Sequence, residues 1–349
     1  MLGLAEHLAP DIDTTFASFA EGGRCADFLR RATAAGFPAV QLVHDTPAFR
    51  PTIRDIRNLL ADADVLFCHG YKAGLLGRIA ARQVGIPVVG VSRGWTAETW
   101  KVRLYERFDR WNLKRLDHVV CVSHGQAAKV RRAGVSPERM TVIHNSARLG
   151  DFSEKRRATR AEVVVLAAGR LSPEKGFQLL PAVAEAVGRA CPIVRFQMAG
   201  DGPLREDIER EARRRGVSER VEFLGFRPDI DQLMTDADIL LLPSFTEGLP
   251  NVVLEAAAAG ISCVATAVGG TPEAVADGET GLLVPAGDVA AMADAIIRLA
   301  TDSTDRDHMG RAARKHVEAH FSFPAQADAY REIIRRCVPA KETAEMQPC

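Results

Sequence analysis

The chain has 349 residues, 47% hydrophobic and 26% charged, with a formal net charge of zero, enough for two ordinary domains with real cores and nothing that marks a nucleic-acid binder. Its seven cysteines (25, 68, 121, 191, 263, 337 and 349) stand singly without a CxxC pair, which reads as reduced thiols of a cytoplasmic protein and excludes a disulfide scaffold or a zinc-cysteine site. No apolar run approaches the roughly 20 residues of a membrane span, and no signal-peptide pattern opens the chain.

In chain order, "MLGLAEHLAP" reads as a helix, where a doubly wound domain would open on a strand and a tight glycine loop. The N-terminus is therefore expected to be short of a first strand. Strand candidates follow at "TTFASFA", "AVQLV", "VLFCHG", "PVVGVS", "HVVCVS" and "MTVIHN". Amphipathic segments such as "TIRDIRNLLADA" and "AGLLGRIAARQVG" lie between them at helical spacing. Continuous apolar strands separated by helices predict parallel sheet covered on both faces. The polar stretch 145–162 breaks the rhythm. Alternation restarts at "VVVLAAG" and continues through "IVRFQMAG", "VEFLG", "DILLLPS", "SCVATA" and "GLLVP". The expected architecture is α/β: two doubly wound Rossmann-like domains, 1–148 and 163–320, joined by a linker at 149–162 and facing across a cleft. A terminal helix at 321–337 is expected to cross back to the first domain, followed by a disordered tail at 338–349. Residues 1–150 hold 21 Lys and Arg against 14 Asp and Glu, a net +7, and the rest carries −7, which suggests halves with different partners.

Three strand-to-helix turns carry the chemistry. "AAGRLSPEKGF" places Arg170 and Lys175 on a loop after a strand, a planar fork and a point charge suited to phosphate oxygens, with a solvated surface loop as the alternative. No Walker-type GxxxxGK[ST] is present, which disfavours ATP hydrolysis. "MAGDGPLRE" offers Gly200 and Gly202 for close backbone approach and Pro203 for a first helical turn. "SFTEGLPNVVLEAAAAG" puts Glu247 in a turn, Pro250 at a helix start and Glu255 in that helix's second turn. The apolar, small neighbours of Glu255 predict a half-hidden carboxylate in need of a partner.

"GRLSPEKG", "AGDGPL", "VEFLGF", "EGLPNVVLEAAAAG" and "AVGGTPEAVADGETGLLVPAGD", in this order, resemble a family 4 retaining glycosyltransferase of the GT-B fold, closely over 160–320 and more loosely over the first half. The resemblance implies a nucleotide-sugar donor held mainly by the second domain. Arg170 and Lys175 then match the basic pair on the diphosphate, Glu255 the acid on the ribose, and Glu247 the acid at the donor sugar beside Gly248 and Leu249. Phe226 falls where the backbone meets the base, and Gly169, Gly200, Gly202 and Asn251 complete the donor-binding set. His69, ending "VLFCH", matches a first-domain histidine facing donor and acceptor, or is a satisfied polar residue at a strand end. Catalysis would rest on Arg170, Lys175, Glu247 and His69, without cofactor or metal, since the two cations meet the charge that builds on the leaving diphosphate and no Asp-x-Asp stands in a suitable loop.

Residues 95–117 gather three Trp, one Tyr and one Phe among Arg and Lys, a candidate for lying on an anionic membrane surface, or else an ordinary helix with its aromatics in the core. The resulting expectation is a cytoplasmic enzyme, peripheral on the inner face of the membrane, acting on a glycan or lipid-linked acceptor in bacterial polysaccharide or lipopolysaccharide assembly. The alternatives are a catalytically impaired donor-binding subunit and a GT-B sugar-nucleotide epimerase.

Overall fold

Every strand expected from the sequence is found, and every strand pairing is parallel. The structure, a computed structural model, describes residues 1–23, 25–96, 100–150 and 162–338. In the first half β1 (Phe16–Ser18) pairs with β2 (Ala39–Gln41). A separate sheet runs β3 (Leu66–His69), β4 (Val88–Ser92), β5 (His118–Cys121), β6 (Met140–Val142) in that order. In the second half β7 (Val163–Ala168), β8 (Val194–Ala199), β9 (Val221–Gly225), β10 (Ile239–Leu242), β11 (Ser262–Thr266) and β12 (Gly281–Val284) form one sheet of order β12-β11-β10-β7-β8-β9.

Helices between the strands cover both faces, which is why the central strands carry no polar alternation. All residues of β4, β5, β10 and β11 are buried. Where the turn after the helix Trp100–Leu113 comes closest, the strand drops its side chain: a Cβ on Gly90 of β4 would fall 2.4 Å from Leu116. Among the described residues no strand joins β1 to β3. The opening helix Leu2–Leu8 packs on the helix Phe323–Cys337, with His7 stacked on Phe323 and Arg331 donating to the His7 carbonyl at 2.6 Å. The same closing helix sets Tyr330 against Phe67 of β3.

The linker expected over 149–162 has only Leu149, Gly150 and Glu162 among the described residues, and the tail expected over 338–349 only Val338; the remainder of both lies outside them. Pro203 stands in a turn before the helix Arg205–Arg214 instead of inside its first turn, because Gly202 and Pro203 are used to fold the loop back over Leu171.

The halves meet through bare backbone. A Cβ on Gly248 would lie 1.9 Å from the Arg93 carbonyl oxygen, one on Gly125 2.5 Å from that of Gly269, and one on Gly270 2.6 Å from the Ser123 Cβ. Ser123 Oγ donates to the Gly248 carbonyl at 2.8 Å across the same seam. No other residue type allows main chains of two sheets to approach this closely.

Candidate active site

In the second sheet the chain turns from one side of β7 to the other between β9 and β10, so β7 and β10 flank the topological switch point, where doubly wound sheets hold ligands. The loops after β9, β8, β7 and β10 stand side by side there. They carry Phe226, then Gly200 and Gly202, then Gly169, Arg170 and Lys175, then Glu247, Gly248 and Leu249. The loops after β7 and β8 lie backbone on backbone: a Cβ on Gly200 would sit 1.8 Å from the Gly169 carbonyl oxygen, and one on Gly202 2.4 Å from that of Leu171.

The loop after β7 is fixed to the loop after β10 at three points. Pro173–Lys175 form a 3-10 turn ended by Gly176 at φ 71°, where a Cβ would lie 1.9 Å from the Pro243 carbonyl oxygen. The Phe245 N–H donates to the Glu174 carbonyl at 2.8 Å. Lys175 Nζ donates to Glu247 Oε1 at 2.7 Å, and Ser244 Oγ reaches the same oxygen at 2.7 Å. Glu247 is only 8% exposed, so its carboxylate requires this pairing. Arg170 is exposed beside it. The sequence treated Lys175 and Glu247 as separate ligand contacts; it missed that they hold each other. The signal was present in the strand order a doubly wound sheet imposes, which makes the two loops neighbours.

Pro250 occupies the N-cap position of the helix Asn251–Ala258, and Glu255 lies in its second turn, half-buried. Burial, then the charge of Asp231, pushes the Glu255 carboxyl above the usual carboxylate range. None of the described residues donates a hydrogen bond to it. Asn251 is exposed and accepts from Asn145 Nδ2 at 2.8 Å, so it joins the seam with the residues after β6; Leu249 is buried. Phe226 is 78% exposed, and the Gly225 carbonyl before it accepts the Gly200 N–H at 2.7 Å.

On the facing half, His69 ends β3 with its Nδ1 buried and without a protein partner. Burial, helped by the Arg93 guanidinium and the N-terminal amine, pushes its pKa down to about 3, so the ring is neutral at pH 7. A neutral imidazole with a free nitrogen is suited to a ligand hydroxyl. Arg93, which the sequence reading passed over, links the two sides: its side chain acts on His69 while its carbonyl meets Gly248.

The helix Trp100–Leu113 leaves Trp100 at 71% exposure and Phe108 at 56%, with Leu104, Tyr105 and Trp111 also exposed. Leu104, Arg107, Phe108 and Trp111 line a shallow cavity of 310 Å³. The expectation for 95–117 needs a correction at one end. Trp95 is no part of this face: its Nε1 donates to Asp109 at 2.9 Å and its ring carries the Arg110 guanidinium at 4.6 Å, which holds it half-buried.

Comparison with known proteins agrees with this fold. A family model described as "Glycosyl transferases group 1" matches residues 162–302, and one described as "Glycosyl transferase 4-like domain" matches residues 1–146. The chain is 26% identical over 308 residues to the UDP-Gal:alpha-D-GlcNAc-diphosphoundecaprenol alpha-1,3-galactosyltransferase of Escherichia coli, covering 80% of this chain and 79% of that one. It is 33% identical over 225 residues to the lipopolysaccharide core biosynthesis glycosyltransferase LpsE of Rhizobium meliloti, covering 63% of this chain and 65% of that one. Among solved structures, Anabaena HepE in complex with UDP and glucose superposes with a TM-score of 0.83 at 22% identity, covering 96% of this chain and 94% of that one.

Proposed function

The chain belongs to the family 4 glycosyltransferases and has their GT-B fold, and from that premise we propose that it moves a sugar from a nucleoside diphosphate to a lipid-linked or glycan acceptor, with retention of anomeric configuration and without a metal. The observation that carries this reading is the Lys175–Glu247 pair at the switch point of the second sheet, beside the exposed Arg170. Departure of a nucleoside diphosphate builds charge on its phosphates, and fixed cations stabilise that charge as it forms. Lys175 is held by a buried carboxylate, so its position costs no reorganisation when the bond breaks. Gly169, Gly200 and Gly202 let the loops close around a diphosphate, and the partnerless carboxylate of Glu255 suits ribose hydroxyls. His69, neutral, faces the sugar and acceptor side. No acid and base pair is then needed: the departing phosphate takes the acceptor's proton as attack comes from its own face.

Incubating the protein with nucleotide sugars and a polyprenyl-diphosphate-linked acceptor, then reading the product's anomeric signal by NMR, tests this. The donor's own anomeric configuration is expected in the product; inversion would overturn the retaining mechanism.

The acceptor class is supported by the names of the relatives and by the exposed face Trp100–Trp111 on the basic half of the chain. Among the described residues no helix is long and apolar enough to cross a membrane, and this face supports lying on one, at the cytoplasmic surface. Leu104→Ser with Phe108→Ser should weaken co-flotation with vesicles containing anionic phospholipid by at least about tenfold, since burying each such side chain is worth roughly 1.5–3 kcal/mol. Melting temperature should not move, because both side chains are already exposed. Equal flotation of variant and parent would remove the membrane assignment.

A further inference from the structure

A second group of ligand-type side chains lies on the seam between the halves, adjoining the loop after β10 where Ser123, next to His124, donates to the Gly248 carbonyl. Glu273, on the turn of helix Thr271–Ala274, reaches the start of the helix His124–Arg132. Its Oε2 accepts the His124 N–H at 2.7 Å, and its Oε1 the Gly125 N–H at 2.9 Å. His144 Nε2, just after β6, stands 2.9 Å from Glu273 Oε2. The His124 and His144 rings meet edge to face with centroids 5.8 Å apart. One ligand atom from each of the three residues lies within 4.8 Å of the other two.

We propose that His124, His144 and Glu273 bind one divalent cation of the zinc class, which clamps the two halves of the chain together. Two imidazoles and a carboxylate suit zinc better than magnesium or calcium, which prefer all-oxygen shells. Ligand atoms around tetrahedral zinc lie about 3.3 Å apart, given bonds of about 2.0–2.1 Å. The His144–Glu273 edge is already near that spacing. The exposed His124 side chain has to move in from within 4.8 Å to close the third position, and its solvent side leaves the fourth for water. The carboxylate is pre-oriented by the two backbone N–H groups, as outer-shell partners orient metal ligands elsewhere. On binding, His144 presents the Nε2 lone pair and keeps its proton on Nδ1; any second proton on the ring passes to solvent. In a plain hydrogen-bonded latch the His124 ring would only pack edge to face on His144, whereas in a metal site it is a ligand.

That difference gives the test. His124→Ala keeps the backbone N–H that Glu273 accepts, so it retains the latch and loses only a ligand. Chelator-treated protein titrated with zinc chloride by calorimetry is expected to bind one ion per chain, and saturating zinc should raise the melting temperature. His124→Ala should melt as the parent does without metal and bind zinc at least about tenfold more weakly, the scale of a damaged metal site. Cobalt in the parent should show d–d bands without a thiolate charge-transfer band. Unchanged affinity in His124→Ala, a thiolate band pointing to cysteine, or no zinc binding by the parent would each overturn the proposal.

Discussion

Lys175→Ala is expected to lower kcat/KM for sugar transfer by roughly 10²–10³-fold, the cost of removing one pre-placed donor from charge that develops in a transition state. The same change leaves the Glu247 carboxylate buried with Ser244 as its remaining partner. A loss of stability of about 1–3 kcal/mol should therefore accompany the kinetic loss. The two effects separate when turnover of Lys175→Ala is read well below its melting temperature, where the protein is folded and the kinetic loss should persist. Parental turnover of the folded variant would mean that Lys175 acts through folding alone.

Gly248→Ala should cost about a hundredfold in kcat/KM, the scale of a displacement of about 1 Å in a reacting constellation. Its Cβ would lie 1.9 Å from the Arg93 carbonyl oxygen and 3.2 Å from Val122, so the two sheets must part or the loop after β10 must shift. That loop carries Glu247 and leads into the helix of Glu255. Gly125→Ala strikes the same seam from the other side, 2.5 Å from the Gly269 carbonyl oxygen. It should reproduce the phenotype without touching a donor residue. Steady-state kinetics of both variants, alongside small-angle scattering, check this; near-parental turnover in both would show that the close approach is dispensable.

The fold was readable because its signals are local and repeated. Each strand is a short apolar run ended by glycine or a polar turn, and every one named in the sequence became a strand. The candidate site was readable only in part. Arg170, Lys175, Glu247 and Glu255 declare themselves by residue type at strand ends and helix starts. What joins them is non-local: Lys175 and Glu247 lie 72 positions apart and meet because β7 and β10 are neighbours. Arg93 and Gly125 gave no signal, and Gly248, Gly269 and Gly270, though they fall within the motifs, gave none of the seam, since glycine in a loop has many uses and only the facing backbone shows which applies. Asn251 is the converse case. The family resemblance drew it into the donor-binding set, while the fold ties it to Asn145 across the seam. The aromatic segment needed side-chain directions to divide Trp95, which packs inward, from Leu104 and Phe108, which do not.

Thermal melting of the parent against a panel of nucleoside diphosphates and nucleotide sugars tests the donor assignment most directly, because a ligand that binds the folded state raises its melting point. At least one nucleoside diphosphate should raise it in the parent, and Glu255→Ala and Lys175→Ala should each abolish most of that rise while remaining folded. A panel without effect on the parent, or shifts in both variants as large as the parent's, would contradict the account.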